Sequence, residues 1–132
     1  MGETIKLAAI GAVAFMLLDG VWLGLLMRGF YRAQLAPIVR LADGGIAPNW
    51  PAAFVVYALL GTGIALFVIP SAATVLLAAV RGALFGLVVY GVYDFTNYST
   101  LRQWPFLLTM ADVAWGTAAT AAASALVRFV AR

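Results

Sequence analysis

The sequence predicts an all-α polytopic membrane protein, a four-transmembrane-helix bundle with a short interfacial amphipathic helix between the first two spans. Three observations carry this reading. Of the 132 residues, 65% are hydrophobic and only 10% charged, and the mean hydropathy is +1.03; soluble domains run at about 45–50% apolar and about 25% charged. The apolar residues fall into four runs close to the roughly 20 residues a helix needs to cross hydrocarbon. Two of those runs open on Trp-Pro, at Trp50-Pro51 and Trp104-Pro105. Trp suits the membrane interface, and Pro is tolerated at a first helical position. Four spans with short connections use the whole chain, so a single integral membrane domain over residues 1–132 is expected.

The first span covers about residues 5–27, between Lys6 and Arg28. It is longer than the roughly 7–15-residue apolar core of a signal peptide, and Asp19 interrupts it, so it is expected to be a retained helix. The connection from Gly29 to Trp50 is the longest. Its residues 30–40 place Phe30, Tyr31, Gln34, Leu35, Ile38 and Val39 at helical spacing against Arg32 and Arg40. This pattern predicts an interfacial helix lying on the headgroups, kinked at Pro37. Asp43-Gly44-Gly45 and Pro48-Asn49 then break the chain. The second span covers about residues 51–69, and Pro70-Ser71 makes a tight turn. The third covers about residues 73–98 and the fourth about 105–127, with Arg128 and Arg132 closing the chain. Basic residues flank both ends of the bundle in similar number, so the positive-inside rule gives no orientation. Gly20-xxx-Gly24 and Gly82-xxx-Gly86 are small-residue pairs that let helices approach closely, and packing within the bundle is favoured over a dimer face.

Composition narrows the chemistry. The chain has no Cys and no His, so no thiolate, haem or His-type metal site is expected. Its net charge of +3 is scattered, with no basic run to bind nucleic acid.

Asp19, Asp94 and Asp112 lie inside the apolar spans, where a carboxylate costs roughly 2.5–3.5 kcal/mol on insertion scales. Asp19 precedes Arg28 by nine residues, Asp94 precedes Arg102 by eight, and Asp112 follows Trp104 by eight. At 1.5 Å per residue each acid sits about 12–13 Å below the same membrane face. Trp22 and Trp115 follow Asp19 and Asp112 at i+3, and Tyr90, Asp94, Asn97 and Tyr98 form a stripe on the third span. The candidate binding residues are therefore Asp19, Trp22, Tyr90, Asp94, Asn97, Asp112 and Trp115. A bland reading also stands: these groups can tie helices together by hydrogen bonds alone.

The segments Asp19-Gly20-Val21-Trp22-Leu23-Gly24, Gly29-Phe30-Tyr31 and Asn49-Trp50 resemble the N-terminal half of an uncharacterised bacterial membrane-protein family, domain of unknown function 2177. Tyr90-Gly91-Val92-Tyr93-Asp94-Phe95-Thr96-Asn97, Trp104-Pro105 and Asp112-Val113-Ala114-Trp115-Gly116-Thr117 resemble its C-terminal half. The resemblance implies a protein of the bacterial inner membrane with no assigned activity. The family's proximity to lipid-modifying genes such as cyclopropane-fatty-acid synthases implies a link to membrane lipid chemistry.

Three functions compete. The first is a binding or transport protein whose polar intramembrane site takes a cation, a proton or a small amphipathic ligand. The second is a non-catalytic accessory or scaffold subunit, as a homo-oligomer or in a larger membrane complex. The third is a lipid-modifying enzyme, which ranks last because the acids lie on three separate helices without a metal-binding motif. Membrane lipids are partners under all three.

Overall fold

The computed structural model describes residues 1–43 and 45–131; Gly44 and Arg132 lie outside the described residues. Helices long and apolar enough to cross a membrane cover Gly2–Leu26, Trp50–Ser71, Val75–Thr100 and Phe106–Val130. The fold is thus the all-α bundle that composition demands. Large apolar side chains such as Leu17, Leu59, Phe67, Leu84 and Val88 remain exposed on its outer faces. Helices apolar all round belong in lipid.

Helix α1 (Gly2–Val21) continues into one wider, π-helical stretch, Trp22–Leu26. That stretch is closed by the Met27 N–H donating to Trp22 O at 2.7 Å. Helix α2 (Arg28–Leu35) follows directly and is shorter than the predicted segment 30–40. The physical reason is Pro37, which has no N–H to donate back to Ala33. Ala36 still holds helical φ/ψ of −45° and −40°, and the chain leaves the helix through a turn in which the Ile38 and Val39 N–H groups both donate to Leu35 O. The chain instead turns and forms a two-stranded antiparallel hairpin, β1 (Leu41–Ala42) with β2 (Gly45–Ile46), pairing Leu41 with Ile46. Asp43 sits in the hairpin turn at φ 49°, a left-handed conformation that Asp tolerates. Gly45 lies under the Arg28 guanidinium, where a Cβ would come within 2.6 Å of Nη2.

Helix α3 (Trp50–Gly63) starts at Asn49, whose side chain accepts from the Ala52 N–H at 3.3 Å, with Pro51 in the first turn. It runs on through a π-helical stretch, Ile64–Val68, into the single 3-10 turn Ile69–Ser71. Helix α4 (Val75–Thr100) is capped by Thr74, whose hydroxyl accepts from the Leu77 N–H at 3.1 Å. Helix α5 (Phe106–Val130) begins just after Pro105. The connection between α3 and α4 is pinned by two basic side chains. Arg81 Nη1 donates to Ser71 Oγ and Arg128 Nη2 to Ala73 O, each at 2.9 Å. Arg81 is exposed and extends towards the α3–α4 connection, at the end of the bundle that holds the termini.

Packing is pairwise. The most extensive contact is α4 on α5, followed by α1 on α3, with α1 also touching α5. The α4–α5 contact is made by Gly82 and Gly86, which face Ser124, Thr120 and Gly116 closely enough that any Cβ would collide. The α1–α3 contact is made by Gly61, whose backbone lies against Ala8 and Ala12. Gly20 and Gly24 do not take part: a Cβ on either would meet nothing within 4 Å. Of the two predicted small-residue pairs, only the α4 pair packs inside the bundle. Phe15, Ile64, Ala123 and Val127 fill the centre with no exposed surface.

Candidate intramembrane polar site

The acids on α1, α4 and α5 belong to one connected set of polar side chains. Asp19 Oδ1 accepts from the Trp115 indole at 2.8 Å, and its Oδ2 accepts from the Tyr57 phenol at 3.0 Å. The Trp22 ring lies parallel to that of Trp115, centroids 4.4 Å apart. The Trp22 indole donates to the Tyr31 phenol oxygen at 3.1 Å, and Tyr31 donates to Asp112 Oδ1 at 2.6 Å. Asp94 is fully buried. The packing of Gly86 and Tyr90 on Gly116 sets its carboxyl beside that of Asp112 across the α4–α5 contact, and no N–H or O–H donor serves either of its oxygens.

The local folding explains the meeting. The Trp22–Leu26 stretch ends α1, and α2 turns back so that Tyr31 is buried within the bundle. Gly116 leaves room for the Tyr90 ring, which packs directly on it and lies 6.2 Å from the Phe15 ring. No three acids among the described residues come close enough to hold a metal ion together.

Beside the network lies a cavity of about 570 Å³. Its walls are mainly apolar: Leu23, Leu35, Val39, Ile46, Val56, Leu59, Leu60, Phe85, Val89 and Leu108. Asp19, Asp112, Tyr31, Tyr90, Tyr93 and Trp104 supply its polar groups. The cavity separates α3 from α4. These helices meet where Gly63 abuts the Phe85 ring and through the stretch Ile64–Val68.

Residues 4–129 match a family described as predicted membrane protein (DUF2177). The chain belongs to the DUF2177 family. No curated protein matches the chain, and no solved structure does.

Of the residues singled out in the sequence, Asp19, Tyr90 and Asp112 line the cavity of this DUF2177 protein. Trp22, Trp115 and Asp94 stand behind it as hydrogen-bond or stacking partners. Asn97 does not line the cavity itself. It lies in an adjoining recess of about 530 Å³, with Arg102 and Gln103 towards the loop side, which shares Tyr93 and Trp104 with the cavity, and its side chain hydrogen-bonds Tyr93. Tyr98 packs on Phe106 instead, centroids 5.4 Å apart. The predicted α4 stripe therefore divides, because residues at i+7 and i+8 rise about 10–12 Å above Tyr90 along the helix.

Two side chains of the network escaped the sequence reading as site residues, Tyr57 and Tyr31. Tyr57 carried a usable signal. It lies seven residues after the interfacial Trp50, about 10 Å deep and thus close to the level of the acids. Tyr31 stood on the apolar face of the amphipathic segment and in the Gly29-Phe30-Tyr31 segment, but nothing local shows that α2 turns its phenol towards the acids.

Burial, and then the adjacent Asp112 carboxylate, holds the Tyr31 phenol above its ordinary value of 10.0. A folded-state value above the unfolded one adds nothing to the pH dependence below about 10. Above that point the unfolded chain releases this proton first, and stability falls as pH rises. Unfolding of the DUF2177 protein measured from pH 8 to 11 is expected to show this alkaline loss. In Tyr31→Phe the slope above pH 10 should be shallower.

Proposed function

We propose that this protein binds a small amphipathic cation dissolved in the membrane, as a carrier or receptor. The observation that carries the reading is an apolar cavity with two carboxyl-bearing residues, Asp19 and Asp112, on its wall. The polar partners of those carboxyls are indoles, phenols and a third carboxyl. A positive charge seated there would gain a Coulomb attraction strengthened by the low dielectric. The apolar body of the ligand would fill the space between α3 and α4, which the ligand reaches sideways from lipid. Tyr90 and Tyr93 offer aromatic faces to a cation. A helical bundle of this kind fits a cytoplasmic membrane, since outer-membrane spans are barrels.

Native mass spectrometry of the detergent-purified protein, after exposure to membrane lipid extract or to tetraphenylphosphonium, tests this. Wild type should retain an adduct. Asp19→Asn and Asp112→Asn should lose it, with affinity at least tenfold weaker and the fold retained. Absence of any wild-type adduct, with variants that are only less stable, would replace this reading with the scaffold one. A specific observation favours that second reading: Asp19 joins α1, α3 and α5 through Trp115 and Tyr57, a tie that needs no ligand.

A further inference from the structure

Asp94 has no counterpart among the groups assigned to ligand contact. It does not line the cavity, it is fully buried, and neither carboxyl oxygen receives an N–H or O–H donor. A buried polar group without a partner is rare and calls for an explanation. Gly86 and Tyr90 of α4 pack on Gly116 of α5, so one turn further along this antiparallel pair the Asp94 carboxyl lies beside that of Asp112. Two ionised carboxylates have no donor to share, so the contact closes only when the pair holds a proton. Asp112 then has two faces: one towards Asp94 and one towards the cavity.

We propose that the Asp94–Asp112 carboxyl pair is a proton-exchange site, occupied by one proton when the cavity is empty and emptied when a ligand cation settles against Asp112. This rests on the cation-binding reading above and deepens it. The balance is simple. The pair begins as one carboxylic acid and one carboxylate, with net charge −1. The cation enters, the O–H bond breaks, and the proton leaves through the cavity to water. Two carboxylates and one monocation again sum to −1. Exchange therefore leaves the charge buried in the membrane unchanged, and taking an uncompensated ion out of water costs several kcal/mol.

The titratable groups around the pair are Asp19 on α1, Tyr31 on α2, Tyr57 on α3, and Tyr90 and Tyr93 on α4. Four of these are phenols. Asp19 already accepts from Trp115 and Tyr57. Asp94 and Asp112 are thus the groups with a carboxyl partner and no second strong donor between them.

The test is calorimetric titration of tetraphenylphosphonium, a monocation with no proton of its own, into the purified protein. Runs in phosphate and in Tris, whose ionisation heats differ, count the protons released. Wild type should release about one proton per cation bound, and affinity should rise about tenfold per pH unit. In Asp94→Asn the amide can donate to Asp112, the proton count should fall to zero and the pH slope should flatten. Cation binding without proton release in wild type would overturn the exchange site and leave the binding reading standing. No binding at any pH would overturn both.

Discussion

Asp112→Ala is expected to be the most damaging change at the polar site, and Asp112→Asn one of the mildest for folding. In the wild type Asp112 accepts from the Tyr31 phenol at 2.6 Å and meets the Asp94 carboxyl on its other side. Alanine leaves both groups unserved. Leaving a buried polar group unsatisfied costs about 1–3 kcal/mol each, so a loss of about 2–6 kcal/mol follows. Asparagine keeps both contacts: its oxygen accepts from Tyr31 and its amide donates to Asp94. It removes only the charge that faces the cavity. Thermal unfolding in detergent should therefore show a large drop for Asp112→Ala and a small one for Asp112→Asn. Cation binding should be lost in both. Equal destabilisation by the two variants would mean that the ionised carboxylate itself holds the bundle together, which is the scaffold reading.

The acids were legible in the sequence because lipid makes them expensive. A carboxylate amid apolar residues stands out without any knowledge of the fold, and its distance to a flanking Arg or Trp sets its depth. Depth could not say what each acid touches. The pairing of Asp94 with Asp112, rather than with Asp19, depends on how α4 and α5 are rotated against each other, and that rotation is set by Gly82 and Gly86 seated on Ser124, Thr120 and Gly116. Tyr31 was hidden for a different reason. An amphipathic pattern fixes which face of α2 is apolar, yet it does not say whether that face meets headgroups or the inside of the bundle. The answer lies in the π-helical stretch Trp22–Leu26 and the break at Met27 that follows it, which no periodicity announces.

The spans themselves were legible from length and hydropathy, since a membrane helix must satisfy its own backbone. The helix partners were not. Lipid tails are as apolar as Leu, so the apolar pattern carries no information about which face turns inward. Small residues were the remaining signal, and they divided. The same spacing marks a tight contact at Gly82 and Gly86 and an open surface at Gly20 and Gly24. Gly61, with no partner glycine at i+4 or i−4, makes a close approach where Gly20 and Gly24 make none.

That contrast gives the second large effect. Gly61→Leu is expected to disrupt the bundle, whereas Gly20→Leu and Gly24→Leu are expected to be tolerated. A Cβ at position 61 would collide with the Ala8 carbonyl oxygen and lie 2.7 Å from the Ala12 amide nitrogen. These are backbone atoms of a helix, so no rotamer change relieves the clash. Helices α1 and α3 must move apart, and the cost falls at or above the roughly 3 kcal/mol upper end of ordinary overpacking. Parting them also separates Tyr57 on α3 from Asp19 on α1, a bond of 3.0 Å, so the carboxylate loses one of its two donors. At positions 20 and 24 an added side chain enters open space and gains helix propensity over glycine of up to about 1 kcal/mol. Thermal unfolding of the three variants in detergent separates these outcomes. A Gly20→Leu or Gly24→Leu protein as unstable as Gly61→Leu would show that the open face of α1 is covered in the native assembly, by a second copy or another membrane protein.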